Sequence, residues 1–219
     1  MKKYLKILKK CPLFENIEDE NLLRMLTCLG ARVDFFDKKY TVFAEGSSAR
    51  YIGIVLSGSV QTVQVDYNGN RSILALTEAG ELFAEEFACA ETREIPISIV
   101  ADETSEIMLI ECSHILHTCH NSCGFHQQLI FNLMKGLAKK NIAFHQRIEI
   151  TSKRTTREKL LTFLSIEASK AGKNRFEIAF DRQELADYLE VDRSGLSAEI
   201  SKLRSEGIIK SEKNRFTLL

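Results

Sequence analysis

Between Cys112 and His126 the chain holds Cys112, His114, His117, Cys119, His120, Cys123 and His126, seven soft or borderline ligands within 15 residues. Thiolates and imidazoles at that density suit zinc or iron, a redox-active thiol pair, or haem ligation. On a continuous helix Cys119, Cys123 and His126 share one face at i, i+4 and i+7, which makes them the candidate metal ligands. Gly124 interrupts such a helix and the spacing fits no zinc-finger pattern, so a polar surface turn rich in His and Cys is the competing reading. The uneven spacing of the six cysteines suggests no disulfide framework and reads as reduced thiols.

A second constellation lies in residues 181–207. Asp181 with Glu184 three positions on is an N-terminal capping pattern, and Leu185 and Leu189 form a buried stripe at i, i+4. A tight turn at Glu190-Val191 precedes another cap, Asp192. A second helix then buries Leu196, Ile200 and Leu203 and stops at Gly207. Its other face carries Arg193, Ser194, Ser197, Ala198 and Ser201, flanked by Lys202 and Arg204. Short side chains allow close approach to base edges, and Arg or Lys can meet guanine or phosphate, so the pair reads as a helix-turn-helix aimed at a major groove. An ordinary amphipathic hairpin with a solvated Ser-rich face is the alternative. Ile208-Ile209-Lys210 and Arg215-Phe216-Thr217-Leu218, around a Ser211–Asn214 turn, predict the wing of a winged helix.

The elements that position these residues fit 219 residues and two small cores. A 44% hydrophobic and 27% charged composition describes a soluble globular protein; no apolar run reaches membrane-span length, and the Lys-rich start lacks a signal-peptide core, which predicts a cytoplasmic protein. The net charge of zero conceals a split. Residues 1–134 carry 12 basic and 18 acidic groups, whereas residues 135–219 carry 18 basic and 12 acidic groups. The half with the helix-turn-helix therefore has the charge to displace counterions from DNA.

Along the chain, Ile17–Leu29 predicts an amphipathic helix. Short β-prone runs follow at Tyr40–Phe43, Tyr51–Leu56, Val60–Val65, Ser72–Leu76, Ile97–Val100 and Ile107–Ile110, with Asn68-Gly69 the clearest hairpin turn. Their spacing predicts an antiparallel barrel or jelly roll. From Gly124 to Arg154 a long helix places Ile130, Leu133, Leu137, Phe144 and Ile148 near a and d positions, a seam for a second helix, with Asn141 near it to fix register. Packing of that stripe on its own barrel is the alternative. A hinge at 150–155, a helix over Arg157–Lys170 and a hairpin over Gly172–Phe180 lead to the helix-turn-helix. The expected fold class is α+β. Its domains are an effector-sensing barrel over 1–123, a dimerisation helix and hinge over 124–154, and a winged helix-turn-helix over 155–219.

The ordered set of motifs resembles the CRP/FNR superfamily of bacterial transcription regulators over nearly the full length. The residues that carry the resemblance are the Pro12-Leu13-Phe14 entry, Glu45-Gly46, Leu56-Ser57-Gly58, Asp66-x-x-Gly69-Asn70, Gly80-Glu81-x-Phe83-Ala84-Glu85, the long helix and the winged helix. The resemblance implies a cyclic-nucleotide-binding-type sensor and a homodimer on a near-palindromic double-stranded DNA site, and leaves RNA polymerase as a further partner. Relatives read bases with an Arg/Glu pair early in the recognition helix and an Arg one turn later. Arg193 matches the first, whereas Ser194 replaces the acid and Ala198 the second Arg. Arg193 is thus the expected main base reader, Ser194, Ser197 and Ser201 secondary contacts, and Arg182, Gln183 and Lys202 phosphate contacts.

In the sensor, Glu85 matches the family's ribose-binding acid, but Pro96-Ile97 stands where cyclic-nucleotide binders have Arg-Ser. Arg93 replaces that cation only if the loop is rebuilt. Gly80, Phe83, Ala84, Glu85, Phe87, Arg93, Pro96, Ile97 and Ser98 are the candidate effector residues, better suited to a less polar small molecule than to cyclic AMP. The iron-sulfur branch of the family uses clustered N-terminal cysteines; Cys11 and Cys28 stand alone and do not support that cofactor. Paired carboxylates, a nucleophile elbow or a Gly-rich phosphate loop in a catalytic context are missing, so an enzyme is not expected. The expected function is a dimeric, effector-controlled DNA-binding regulator. The alternative is a metal-, haem- or redox-sensing regulator acting through the 112–126 cluster.

Overall fold

The computed structural model describes residues 1–65, 67, 71–117 and 124–219, with the backbone alone at Arg71 and Gly124. It forms two compact units, Met1–Ala138 and Lys139–Leu219.

The first unit begins with α1 (Leu5–Leu8), a 3-10 turn at Pro12–Phe14 and α2 (Asp19–Cys28). Eight strands follow: β1 (Arg32–Phe36), β2 (Thr41–Phe43), β3 (Tyr51–Ser57), β4 (Ser59–Val65), β5 (Arg71–Glu78), β6 (Leu82–Phe83), β7 (Ser98–Ala101) and β8 (Ser105–Glu111), with the short helix α3 (Glu85–Cys89) between β6 and β7. They make two antiparallel sheets, ordered β1-β8-β3-β6 and β2-β7-β4-β5. Side chains alternate across a strand, and here both faces of β3 and β8 are used. Val55, Ile107 and Leu109 meet Val60 and Ile99 of the other sheet in one apolar cluster. Ile52, Ile54, Leu56, Met108 and Ile110 face a second cluster, with Leu8, Leu13, Phe14 and Leu22 of the N-terminal segment. That explains why β3 is buried from Ile52 to Leu56 rather than at every second residue.

After α4 (Cys112–Leu116), the 28-residue α5 (Gly124–Thr151) leaves the first unit and enters the second. Leu129 and Leu133 are buried in the first unit's core and Leu137 packs against it. Asn132, 3% exposed, fixes the helix in register: its amide donates to the Leu13 carbonyl at 3.0 Å and the Glu15 carbonyl at 2.8 Å, and its oxygen accepts from Gln128. The predicted helix–helix seam is therefore corrected at Leu133 and Leu137, which serve the barrel. The large apolar side chains left exposed on α5 are Phe125, Phe131, Met134, Ile142, Phe144 and Ile148.

The second unit continues with α6 (Thr156–Ala171), β9 (Arg175–Glu177), α7 (Arg182–Leu189), α8 (Arg193–Ser205), β10 (Ile209–Glu212) and β11 (Arg215–Leu218). Thr155 and Glu158 form a capping box that starts α6, and Gly172 at φ +62° ends it. The hairpin expected over Gly172–Phe180 is not formed. β9 instead pairs with β11, so the wing sheet is three-stranded, in the order β10-β11-β9. The strand β1 and the two-residue β6 were not expected from sequence pattern. The Asn68-Gly69 turn lies outside the described residues.

Candidate DNA-reading surface and effector chamber

Local chemistry sets the helix-turn-helix. Asp181 accepts from the backbone N–H groups of Gln183 and Glu184 at 2.7 and 2.8 Å, and the Glu184 carboxylate accepts from the Asp181 N–H at 2.7 Å. This is the predicted capping box of α7. Glu190 takes the left-handed conformation at φ 54°, ψ 54°, which turns the chain at once toward α8. Lys159 on α6 donates to the carbonyls of Leu189 and Glu190 at 3.1 and 3.3 Å, satisfying groups that the helix end leaves open. Leu185, Ala186, Leu189, Leu196, Ile200 and Leu203 then close one core with Leu160, Phe163 and Leu164 of α6.

Arg157 braces α8 from behind, its guanidinium 3.2 Å from Glu199 and 2.5 Å from Glu206. The hydrogen bond to Glu206 raises the Arg157 pKa and lowers that of the carboxylate. Sequence reading missed both Lys159 and Arg157. Their roles depend on a long-range approach that no local pattern encodes.

The outward face of α8 matches the expectation in part. Arg193, Ser197, Ala198, Ser201 and Lys202 are exposed. Among the described residues, Arg193 has neither an ion-pair nor a hydrogen-bond partner for its guanidinium. The Ser194 hydroxyl donates to the Asp192 carboxylate, the same group that caps α8 by accepting from the Gly195 N–H at 2.9 Å. Those bonds, the Ser194 one first, hold the Asp192 carboxyl below its ordinary pKa. Ser201 donates back to the Ser197 carbonyl at 3.0 Å. At the start of α7, Gln183 donates to Asp187 at 2.8 Å. Arg182 is half-buried: it donates to the Lys213 carbonyl at 3.1 Å, lies over the Phe216 ring at 5.8 Å, and has its pKa lowered by desolvation. Arg182 thus ties α7 to the wing. A cavity of about 460 Å³ lined by Phe180, Arg182, Leu185, Lys213 and Asn214 lies beside it.

The candidate effector residues do not converge on one surface. Phe83, Ala84 and Ile97 belong to the apolar cluster between the sheets, and Phe87 packs against it. Phe83 is 2% exposed, and its ring covers Gly53 so closely that a Cβ there would lie 2.0 Å from Cζ. Gly53 is therefore the residue that admits the Phe83 ring, and Phe43 flanks it with ring centroids 5.8 Å apart. Gly80 turns the chain at φ +96° and donates its N–H to the Val55 carbonyl at 2.8 Å. Ala84 occupies the left-handed region at φ +62°, where a β-carbon is strained.

Glu85, 4% exposed, borders a small cleft with Pro12, Leu13, Leu82 and the α5 residues Asn132 to Leu137. Ser98 accepts from the Glu45 N–H at 3.1 Å, Pro96 is exposed, and the Arg93 side chain is 95% exposed beside Glu94. Among the described residues the buried polar and charged ones are Ser59, Thr77, Glu85, Ser105, His126 and Asn132. Among the described side chains, no arginine or lysine is buried where it could neutralise a phosphate.

Cys119 and Cys123 lie outside the described residues. The third metal candidate, His126, is 3% exposed with its Nε2 2.9 Å from the Ile115 carbonyl, a bond that holds the imidazole in a core position. His114 makes a similar contact to the Leu29 carbonyl at 3.0 Å. Among the described residues no group of three His, Cys, Asp or Glu side chains is placed to hold a metal ion.

Comparison with known proteins fits this geometry. Residues 33–122 match the family described as the cyclic nucleotide-binding domain, and residues 158–219 match the Crp-like helix-turn-helix domain. The chain belongs to the CRP/FNR superfamily. Among its relatives is the transcriptional activator protein FnrA of Stutzerimonas stutzeri, 24% identical over 213 residues, covering 95% of this chain and 84% of that protein. Solved CRP/FNR structures share its fold. DNR of Pseudomonas aeruginosa aligns with a TM-score of 0.52 at 22% identity, over all of this chain and 95% of that one. The Thermus thermophilus catabolite activator protein aligns at 0.51 and 20% identity, over 95% and 93%. The protein is a CRP/FNR-type transcription regulator with a cyclic-nucleotide-binding-like domain, in a family of regulators rather than enzymes. Among the described residues no helix is long and apolar enough to cross a membrane.

Proposed function

We propose that this CRP/FNR protein acts as a cytoplasmic homodimer that reads a near-palindromic double-stranded DNA site, under control of a small, weakly polar effector other than cyclic AMP. The observation that carries the DNA reading is the exposed, unpartnered Arg193 at the start of α8, a helix fixed from behind by its buried leucines, Arg157 and Lys159. Arg193 is the base reader, with Ser197 and Ser201 beside it. Gln183 and Lys202 contact phosphate, with Lys202 nearer to the free state. Arg182 contributes mainly by holding the wing, and Ser194 by supporting the Asp192 cap. Contacts to RNA polymerase belong to the same proposal.

The effector reading is supported by the cluster between the barrel's sheets, which is apolar, and by the lack of a buried arginine or lysine among the described residues. A ligand there would have to displace the Phe83 ring. The domain division follows the same reading: sensor to residue 123, connecting helix to 154 and DNA-binding domain beyond.

The test is selection of bound duplexes from a random library, followed by affinity measurement with Arg193→Ala. The expected product is an inverted repeat with half-site centres about one helical turn apart. Arg193→Ala should weaken binding to it by roughly 10- to 100-fold, matching about 1–3 kcal/mol for a bidentate contact to guanine. Unchanged affinity for the selected site would remove Arg193 from its role, and selection of no repeated half-site would overturn the dimeric reading.

A further inference from the structure

We propose that Cys89 and Cys112 form a thiol pair that peroxide converts to an intramolecular disulfide, a modification site separate from the DNA-reading surface and from the 119–126 candidates. The two sulfur atoms lie 3.5 Å apart, Cys89 closing α3 and Cys112 opening α4. Both elements are packed on the same apolar cluster, which holds the pair in place. A disulfide needs about 2.05 Å between sulfurs, so a side-chain movement of about 1.5 Å closes the bond without unfolding either helix.

Access favours the same pair. Cys112 is buried from the open surface, yet it lines a cavity of about 260 Å³ with Arg50, Ala88 and Arg93. A small oxidant entering there reaches Cys112, and the more exposed Cys89 lies 3.5 Å from it. The hydrogen bond shared with Cys89 lowers the Cys112 pKa. Its place in the cavity lining makes Cys112 the sulfur that attacks and Cys89 the one that resolves. Cys11, buried with its pKa pushed up to about 12 by desolvation, has no such role.

With hydrogen peroxide the step balances. The Cys112 thiolate attacks one peroxide oxygen, the O–O bond breaks, and the departing hydroxide takes up a proton and leaves as water. This gives a sulfenic acid at Cys112. The Cys89 thiol then attacks that sulfur, the S–O bond breaks, and its proton and the departing hydroxide leave as a second water. Two thiols have lost two electrons, and one peroxide has gained them.

The test is peptide mapping of the full-length wild-type protein after stepwise addition of hydrogen peroxide, with remaining thiols blocked by alkylation. The expected product is a Cys89–Cys112 linked peptide, lighter by two hydrogen atoms than the two free peptides, formed before exposed Cys28 is consumed and reversed by dithiothreitol. With Cys89→Ser the link should be lost and Cys112 captured as sulfenic acid by dimedone. With Cys112→Ser, Cys89 should stay alkylatable. If Cys89 and Cys112 remain fully alkylatable while Cys28 oxidises, or if the linked peptides join other cysteines, the proposal fails. The wild-type map requires no variant to fold, and its outcome is independent of any DNA measurement.

Discussion

At Asp192 one carboxylate does two jobs, capping α8 and holding the Ser194 hydroxyl. A serine that reads as a base contact in sequence is thereby directed toward its own helix start. Ser194→Ala should leave discrimination between operator variants nearly unchanged, which competition binding against single-base substitutions would check. The pH dependence follows from the same bonds. In the folded protein the Asp192 pKa is depressed, so its stabilising contribution is complete above the unfolded-state value of about 3.9 and is lost as pH falls through the lower folded value. Asp192→Asn should therefore lie below wild type in Tm near neutrality and converge with it as the solution becomes strongly acidic. A gap that persists unchanged to low pH would show that the carboxylate's charge does not matter. The exposed place of Arg193 at the start of α8 was legible in the sequence because its position relative to a cap and a buried stripe is local. That Arg182 braces the wing was not legible, because its partners Lys213 and Phe216 lie about 30 residues away.

At the scale of elements, short-range chemistry was readable and pairing was not. Both helices of the helix-turn-helix begin and end as their caps require, because cap and helix are within four residues of each other. β9 carries a strand signal but nothing in Gly172–Phe180 says that its partner is β11, so a hairpin was the natural and incorrect expectation. β1 escaped notice because none of its residues is fully buried and their exposure does not alternate. The seam of α5 was misassigned at Leu133 and Leu137 for a related reason. A helix that serves a barrel and offers a second face shows two interleaved apolar stripes, and sequence spacing alone does not say which one is buried. The structure does: Leu129, Leu133 and Asn132 face inward. Asn132→Ala would leave the Leu13 and Glu15 carbonyls without their donor at a buried site, and should cost about 1–3 kcal/mol in chemical denaturation of the first unit. A loss below a few tenths would mean that water replaces the amide.

For the molecule as a whole, charge and apolar surface point to the same assembly. The basic excess lies in residues 135–219, and Phe131, Met134, Asn141, His145 and Ile148 fall on α5 with alternating three- and four-residue steps once Ala138 is included. All six are exposed in the single chain. A strip of that spacing is the geometry through which two helices supercoil. Covering it with a second copy would remove Phe131 and Ile148, at 56% and 63% exposure, from water. Glutamate at both positions puts charges opposite one another across that contact. The double variant should sediment as a monomer at concentrations where wild type is a dimer, while each unit keeps its own melting transition. DNA binding supplies the second readout. A dimer places its second reading helix at an effective concentration in the millimolar range, so losing it should weaken binding to the full inverted repeat by 100-fold or more while leaving affinity for an isolated half-site unchanged. A variant that stays dimeric would move the contact off this strip. One that turns monomeric yet holds the full repeat as tightly as wild type would mean that DNA itself, rather than α5, brings the two copies together.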